Sequence, residues 1–290
     1  MAIKPALFSK VLHGRSLEEA VELTAELGYR GFEPMGRAPH LDVDRSTDEV
    51  AELRERLDDL GLEVPCLATY SGNYGGKSAD ECRAELETLE RFCEFAVLLD
   101  CDLVRHNPGG PPVAAASDDD FEHAASWYAQ AADRAAAYDL TLGIEIHARW
   151  LSETVASTQR LLEAIDRENV GAIHDAGNMF LVGEDFGPES VRTLGDDLVH
   201  LHVKDERRID DPGAPGAFQL EVDGEVGTFQ PRRLGEGAVD HGPLFAALVD
   251  DGYDGFVTAE CHVPQPEAGD DVAVAAHELE RLTALIDDAS

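Results

Sequence analysis

Positive charge is scarce in this chain. Its 290 residues include only 23 Lys or Arg against 59 Asp or Glu, a formal net charge of −36. Lysine is nearly absent: Lys4, Lys10, Lys77 and Lys204 are the whole complement. Such a surface repels phosphate backbones and anionic lipid, which argues against nucleic-acid binding and membrane attachment. The acidity also fits adaptation to high salt, because carboxylates hold hydration water and salt screens their repulsion. A halophilic source is therefore expected, and the surface charge then carries no information about substrate.

Other absences narrow the choice further. The five cysteines (Cys66, Cys82, Cys93, Cys101 and Cys261) form no CxxC pair. Reduced, buried thiols are expected rather than a disulfide frame or a zinc knuckle. No run approaches the ~18 apolar residues of a membrane span. The start, Met1-Ala2-Ile3-Lys4-Pro5, lacks the apolar core of an export signal. A soluble cytoplasmic protein is expected. No low-complexity tract and no second domain are evident. The apolar fraction, 43%, is enough for a large core.

What is present is alternation. Strands are expected near 2–8, 31–34, 64–70, 101–108, 141–147, 170–176, 198–204 and 255–262. Helical patterns fill 17–27, 47–60, 79–99, 119–138, 153–167, 187–194, 242–251 and 271–287. Ser16 with Glu19, and Ser46 with Glu49, read as capping boxes; Gly28 and Gly61 end the same helices. Strand–helix alternation repeated eight times predicts a single-domain α/β protein, a (β/α)8 TIM barrel over 1–290, of the size such barrels take, ~250 residues plus insertions. A doubly wound sheet would open with a glycine-rich phosphate turn. Here the first strand runs into Phe8-Ser9-Lys10-Val11-Leu12-His13-Gly14, without GxGxxG. Leu27-Gly28-Tyr29-Arg30-Gly31-Phe32 is echoed by Asp251-Gly252-Tyr253-Asp254-Gly255-Phe256, as a closed ring would allow.

The loops are asymmetric. Helix-to-strand connections are short (28–30, 61–63, 252–254), whereas strand-to-helix connections are long (71–78, 109–118, 181–187, 205–241, 263–270). The long loops gather where strands end, the face that carries chemistry in barrels. The largest insertion, 205–241, contains Gln219 to Val226, a hairpin turning at Asp223-Gly224, and is expected to form part of a lid.

Four strand ends are polar where a barrel interior should be apolar. They read Ile144-Glu145-Ile146-His147, Ile173-His174-Asp175, His200-Leu201-His202-Val203-Lys204 and Thr258-Ala259-Glu260-Cys261-His262. Strand side chains alternate between faces. An inward Glu, Asp, His and Glu from neighbouring strands cannot stay unpaired in a low-dielectric core. One divalent cation would supply the counter-charge. Three carboxylates and an imidazole suit Mn²⁺, Mg²⁺ or Co²⁺, with Zn²⁺ also admitted.

The chain resembles the xylose isomerase-like barrels over nearly its whole length. GIEIH (143–147), VGAIHDAGN (170–178), HLHVKDE (200–206), LGEGAVD (234–240) and DGFVTAE (254–260) carry the likeness. The family includes sugar isomerases and epimerases, inosose dehydratases and endonuclease IV. The resemblance implies metal ligands at Glu145, Asp175, His202 and Glu260, with Glu145 and Glu260 as the acid/base pair. It implies proton transfer beside a carbonyl through an enediolate, on a small sugar or polyol. It also implies substrate contact at Arg208, six residues after the histidine ligand. A substrate histidine of ketose 3-epimerases is replaced by Asn178, a departure that counts against 3-epimerisation. A homodimer or homotetramer stays open.

Further substrate-binding candidates are Lys204, His147, Asn178 and His106. Lys204 reads equally as a substrate-oxygen ligand or as a salt-bridge partner of Asp205 or Glu206. On the fourth strand Arg105 and Asn107 share one face and His106 takes the other, with the inward set open. His262 shares the ligand face. Glu33 could bond a ligand or a surface cation, and Trp150 and Phe180 read as core before sugar wall. The leading expectation is an isomerase or epimerase of carbohydrate metabolism. The alternative is a hydro-lyase of the inosose or 3-dehydroshikimate dehydratase type. A phosphodiesterase would need further histidine ligands and a basic groove, and a mere binder need not keep both glutamates. From the net charge, thermal stability is expected to rise as KCl is raised toward molar concentration; a melting temperature that is already maximal in dilute buffer would overturn the halophile reading.

Overall fold

The computed structural model describes residues 3–222, 224–264 and 270–290. Ala2 of the expected first strand, Asp223 of the expected turn and 265–269 of the last long loop lie outside the described residues. Nine parallel segments form one sheet: β1 (Lys4–Phe8), β2 (Gly31–Glu33), β3 (Met35–Gly36), β4 (Leu67–Gly72), β5 (Leu103–Asn107), β6 (Thr141–Glu145), β7 (Val170–Asp175), β8 (Leu198–Val203) and, after the insertion, β12 (Phe256–Ala259). The order is β2-β1-β12-β8-β7-β6-β5-β4-β3. Its two ends, β2 and β3, are halves of one strand broken at Pro34, which has no N–H to donate. The sheet therefore closes on itself, and the eight expected strand positions are all present. This is a (β/α)8 TIM barrel.

The helices follow their sequence signals. In α1 (Leu17–Leu27) and α2 (Thr47–Leu60), Ser16 and Ser46 make reciprocal capping boxes with Glu19 and Glu49, and Gly28 and Gly61 take the left-handed C-terminal position. Ser78, Ser117 and Thr154 begin α3 (Ala79–Leu98), α4 (Asp118–Ala136) and α5 (Val155–Ile165) in the same way. The ring is completed by α7 (Pro188–Leu194), α8 (Gly242–Asp250) and α9 (Asp271–Ala289). Among the described residues no helix is long and apolar enough to cross a membrane. All five cysteines are buried free thiols.

Two features were not anticipated. A short helix, α6 (Ala176–Val182), begins directly at the end of β7, capped by Asp175, whose Oδ1 accepts the Asn178 N–H (2.8 Å). The 205–241 insertion holds three strands rather than a lone hairpin. β9 (Asp205–Arg208), β10 (Phe218–Val222) and β11 (Glu225–Arg232) form an antiparallel sheet in the order β10-β11-β9 over the strand-end face.

The return of that insertion is clamped by two carboxylates. Asp205 accepts four backbone N–H groups, from Glu206, Gly235, Gly237 and Val239, at 2.9–3.0 Å. Buried Glu278 on α9 accepts the Leu234 N–H at 3.0 Å. Burial pushes the Glu278 carboxyl up to about 8 from its ordinary 4.5. The native state thus binds this proton more tightly than the unfolded chain. The stabilisation is full below the unfolded value and is lost as pH rises to about 8. The stability advantage of wild type over Glu278→Gln is expected to shrink between about pH 5 and 8 in urea unfolding; a pH-independent difference would remove this assignment.

Candidate active site

Register places the polar strand ends side by side. Asp175 is the Cα partner of His202, and His202 that of Thr258, two residues before Glu260. Glu145 ends β6 opposite Ile173. One donor atom each from Glu145, Asp175, His202 and Glu260 lies within 4.8 Å of the others, and all four residues are buried.

Each donor is held from outside the cluster. His202 Nε2 donates to Glu33 Oε1 at 2.9 Å, which leaves Nδ1 facing Glu145 Oε1 at 3.2 Å and Glu260 Oε2 at 4.0 Å. The other oxygen of Glu33 lies 2.9 Å from His200 Nε2, which also meets the Thr258 hydroxyl at 3.0 Å. Glu145 Oε2 accepts from Arg105 at 3.1 Å. Glu260 Oε1 lies 2.7 Å from His262 Nε2, itself 2.7 Å from Lys10 Nζ. Lys204 Nζ lies 3.0 Å from Asp175 Oδ2 and 3.2 Å from Glu260 Oε2. Although within ion-pair distance, Asp175 Oδ2 has no aligned hydrogen bond among the described residues.

The electrostatics follow from these partners. Burial alone would raise Glu145, but Arg105 and His202 outweigh it and hold the carboxyl below its usual range. Glu260 is likewise depressed, with Lys204 and His262 overcoming burial. His202 is raised because Glu33 and Glu145 overcome its desolvation. Asp175 goes the other way: burial and the neighbouring Glu145 and Glu260, against Lys204, push it up to about 7. A buried acid pushed toward its neutral form, with an unaligned oxygen, is one that added positive charge would stabilise as a carboxylate. The donor set therefore fits a divalent cation. The deeper trio Glu33, His200 and His202 also brings ligand-type atoms together. There each carboxylate oxygen is already spent on one imidazole, so the trio acts as a brace beneath the upper cluster.

Above the cluster lies a cavity of about 370 Å³, whose lining includes His147, Asn178, Lys204, Glu206, Phe218 and His262. That volume falls within the range of small-molecule sites, roughly 300–1,000 Å³. His147 stacks on Trp150 with centroids 4.0 Å apart, and its Nδ1 meets the Ala148 carbonyl. Burial lowers the ring to about 4, so it is neutral. Phe180 packs on Phe186 and Phe229. Gly177 on α6 lies against Lys204, and a Cβ there would overlap the lysine Cγ.

Three expectations are revised by this geometry. His106 faces away from the cavity: its nitrogens meet Ser71 Oγ (2.9 Å) and Tyr74 OH (2.8 Å), and Arg105 takes the inward position. Lys204 pairs with Asp175 and Glu260 rather than with Asp205 or Glu206, because Asp205 alternates to the other face and is filled by backbone N–H groups. Arg208 is exposed on β9 and lines a separate groove with Phe180 and Phe229. β9 climbs away from the barrel, so its later residues leave the mouth. Glu206, two residues earlier, was missed although it is buried in the cavity wall. Burial and nearby Asp175 and Asp205, against Lys204, push its carboxyl up to about 8.

The fold and site define a closed parallel barrel with a buried acidic cluster and one imidazole at its strand ends, under a small cavity. The family model for the xylose isomerase-like TIM barrel matches residues 21–285, and the chain belongs to that family. Inosose dehydratase from Lacticaseibacillus casei is 27% identical over 146 residues, 50% of this chain and 48% of the relative. The match thus spans about half the length of that relative. Inosose dehydratase from Geobacillus kaustophilus (strain HTA426) is 25% identical over 261 residues, covering 84% of this chain and 79% of the relative. The solved structure of IOLI protein with a binding zinc atom superposes with a TM-score of 0.80 at 15% identity, covering 99% of each chain.

Glu33→Gln would remove the charge that fixes His202, and carboxylate–histidine braces of this kind are typically worth about 10- to 100-fold in metal affinity. A loss of Mn²⁺ or Zn²⁺ affinity of that size is expected by isothermal titration, with circular dichroism unchanged. Unchanged affinity would detach Glu33 from the cluster.

Proposed function

We propose that this protein is a divalent-metal-dependent enzyme that removes a proton beside the carbonyl of a small polyhydroxylated ketone. The observation that carries the reading is the convergence of Glu145, Asp175, His202 and Glu260 beneath a sugar-sized cavity. These four residues would hold the cation, which would polarise the substrate carbonyl and stabilise charge developing on its oxygen. Mn²⁺, Mg²⁺, Co²⁺ and Zn²⁺ all suit the donor set.

The two glutamates are not equivalent. Both are held low by cations, but the partner of Glu145 is buried Arg105, which does not line the cavity. Glu260 borders Lys204 and His262, both of which line the cavity, so charge and protons can be redistributed around it as it works. Epimerisation needs proton removal from one face and return to the other, hence two competent bases. Dehydration needs only one: Glu260 takes the proton beside the carbonyl, the β-hydroxyl departs, and the same proton can leave with it as water. This asymmetry, with inosose dehydratases as the curated relatives, supports the hydro-lyase reading. Isomerisation or epimerisation is the second reading, supported by the retention of both glutamates flanking the cluster.

The test uses metal-loaded protein with a panel of inososes, ketoses and 3-dehydroshikimate in D₂O. Loss of one water with a new enone absorbance is expected. Deuterium uptake or a new epimer without water loss would support the isomerase reading instead, and no exchange with any member would sink both. Glu260→Gln is expected to slow turnover by roughly 10²- to 10⁴-fold with the fold intact; full activity in that variant would remove its assignment as base.

A further inference from the structure

The cavity wall contributed by the inserted sheet carries a group that the chemistry at the cluster does not use. Glu206 lies on β9, is 2% exposed and lines the cavity. Among the described residues its Oε2 has no hydrogen-bond partner. Its backbone is pinned on both sides. The Glu206 N–H donates to Asp205 Oδ1 (2.9 Å), and its carbonyl accepts the Ala238 N–H (2.8 Å). Across the ladder it faces Pro231, which has no N–H to offer. The side chain is therefore held at the cavity by the strand rather than by a partner of its own.

Neither cation of the cavity wall pairs with it among the described residues. Lys204 is committed to Asp175 and Glu260. Arg149, also in the cavity wall, donates to the Gln219 carbonyl at 2.6 Å. On the same cavity Asn178 is 3% exposed, and among the described residues its Nδ2 is likewise without a partner. One unfilled acceptor and one unfilled donor thus border the same space. A buried polar group left unmatched is costly, and a ligand group that pairs with it recovers that cost.

Resting on the reading of this cavity as the substrate site, we propose that Glu206 is a specificity-determining residue that receives a hydroxyl of a polyhydroxy substrate. A hydroxyl can donate to the Glu206 carboxyl and accept from the Asn178 amide. A substrate without a hydroxyl at this position would leave both groups unmatched. A substrate entering with its reacting carbonyl toward the cluster would have its remote hydroxyls fixed here.

The test measures binding apart from turnover, on the full chain loaded with Mn²⁺, with myo-inositol as the probe. Wild type is expected to bind it, and Glu206→Leu is expected to lose about tenfold at an unchanged melting temperature, as one well-made buried hydrogen bond allows. Glu206→Gln keeps a hydrogen-bonding group and is expected to retain myo-inositol binding. If the leucine variant does not fold, Glu206→Ala decides. The proposal is overturned if wild type does not bind myo-inositol, if the deciding variant binds it as tightly as wild type, or if Glu206→Gln loses as much as the deciding variant. Glu206-dependent binding in a protein that turns over no ketone would sink the proposed reaction and leave the Glu206 assignment standing.

Discussion

The mouth of this barrel is built around one constraint: several carboxylates are buried within hydrogen-bonding reach of one another, and each must find positive charge or donors. The interior meets it in layers. Glu33 is matched to two imidazoles, Glu145 to Arg105 and His202, and Glu260 to Lys204, His262 and Lys10. Within the four-residue cluster, among the described residues, Asp175 alone stays under-matched, raised rather than depressed, with one oxygen unaligned. The position of that deficit is informative. It lies at the strand ends, beneath the cavity, and not in the deeper Glu33 layer where every carboxylate oxygen is filled. A cation bound at the upper cluster would relieve the member of that cluster that protein groups leave short.

The distribution of basic residues supports the same view. In a chain of −36 with four lysines, two of those lysines and a buried arginine are directed at this cluster. Holding them there costs desolvation, since burial opposes the charged form of Lys10, Lys204 and Arg105 alike. Surface arginines elsewhere make exposed pairs worth little. The cationic groups at the mouth are therefore held there against a desolvation cost, set by the carboxylates they face.

Much of this was legible in the sequence because it depended on local rules. Capping boxes at Ser16 and Ser46 fix helix starts by backbone hydrogen bonding alone, and both form. The inward Glu, Asp, His and Glu followed from period-two alternation at four strand ends, and the structure brings them together. What alternation could not fix was phase. On β5 either Arg105 or His106 could have faced inward, and only the register with β6, pairing Arg105 with Gly143, decides it. Lys204 found partners on other strands, which no nearest-neighbour reading along one strand supplies. α6 was hidden because Asp175 reads as a strand end while also serving as the helix cap. Glu206 was hidden because its burial comes from a three-stranded insertion whose packing is set by long-range contacts.

The dual use of Asp175 ties fold to chemistry more closely than ligand geometry alone. Its Oδ1 starts α6 by accepting the Asn178 N–H, while its Oδ2 faces Lys204. The same short turn places Asn178 on the cavity and puts Gly177 where only a missing Cβ lets the Lys204 stem pass. One carboxylate thus positions a helix, a cavity amide and the approach of a cation in four consecutive residues. A change in its charge would be felt at α6 and at the cavity wall together. The insertion then lines the cavity with Glu206 and Phe218, so under the proposed function the strand-end layer would carry the reaction while the inserted sheet would select the substrate. Selectivity can therefore diverge through the 205–241 segment while the cluster beneath it stays unchanged.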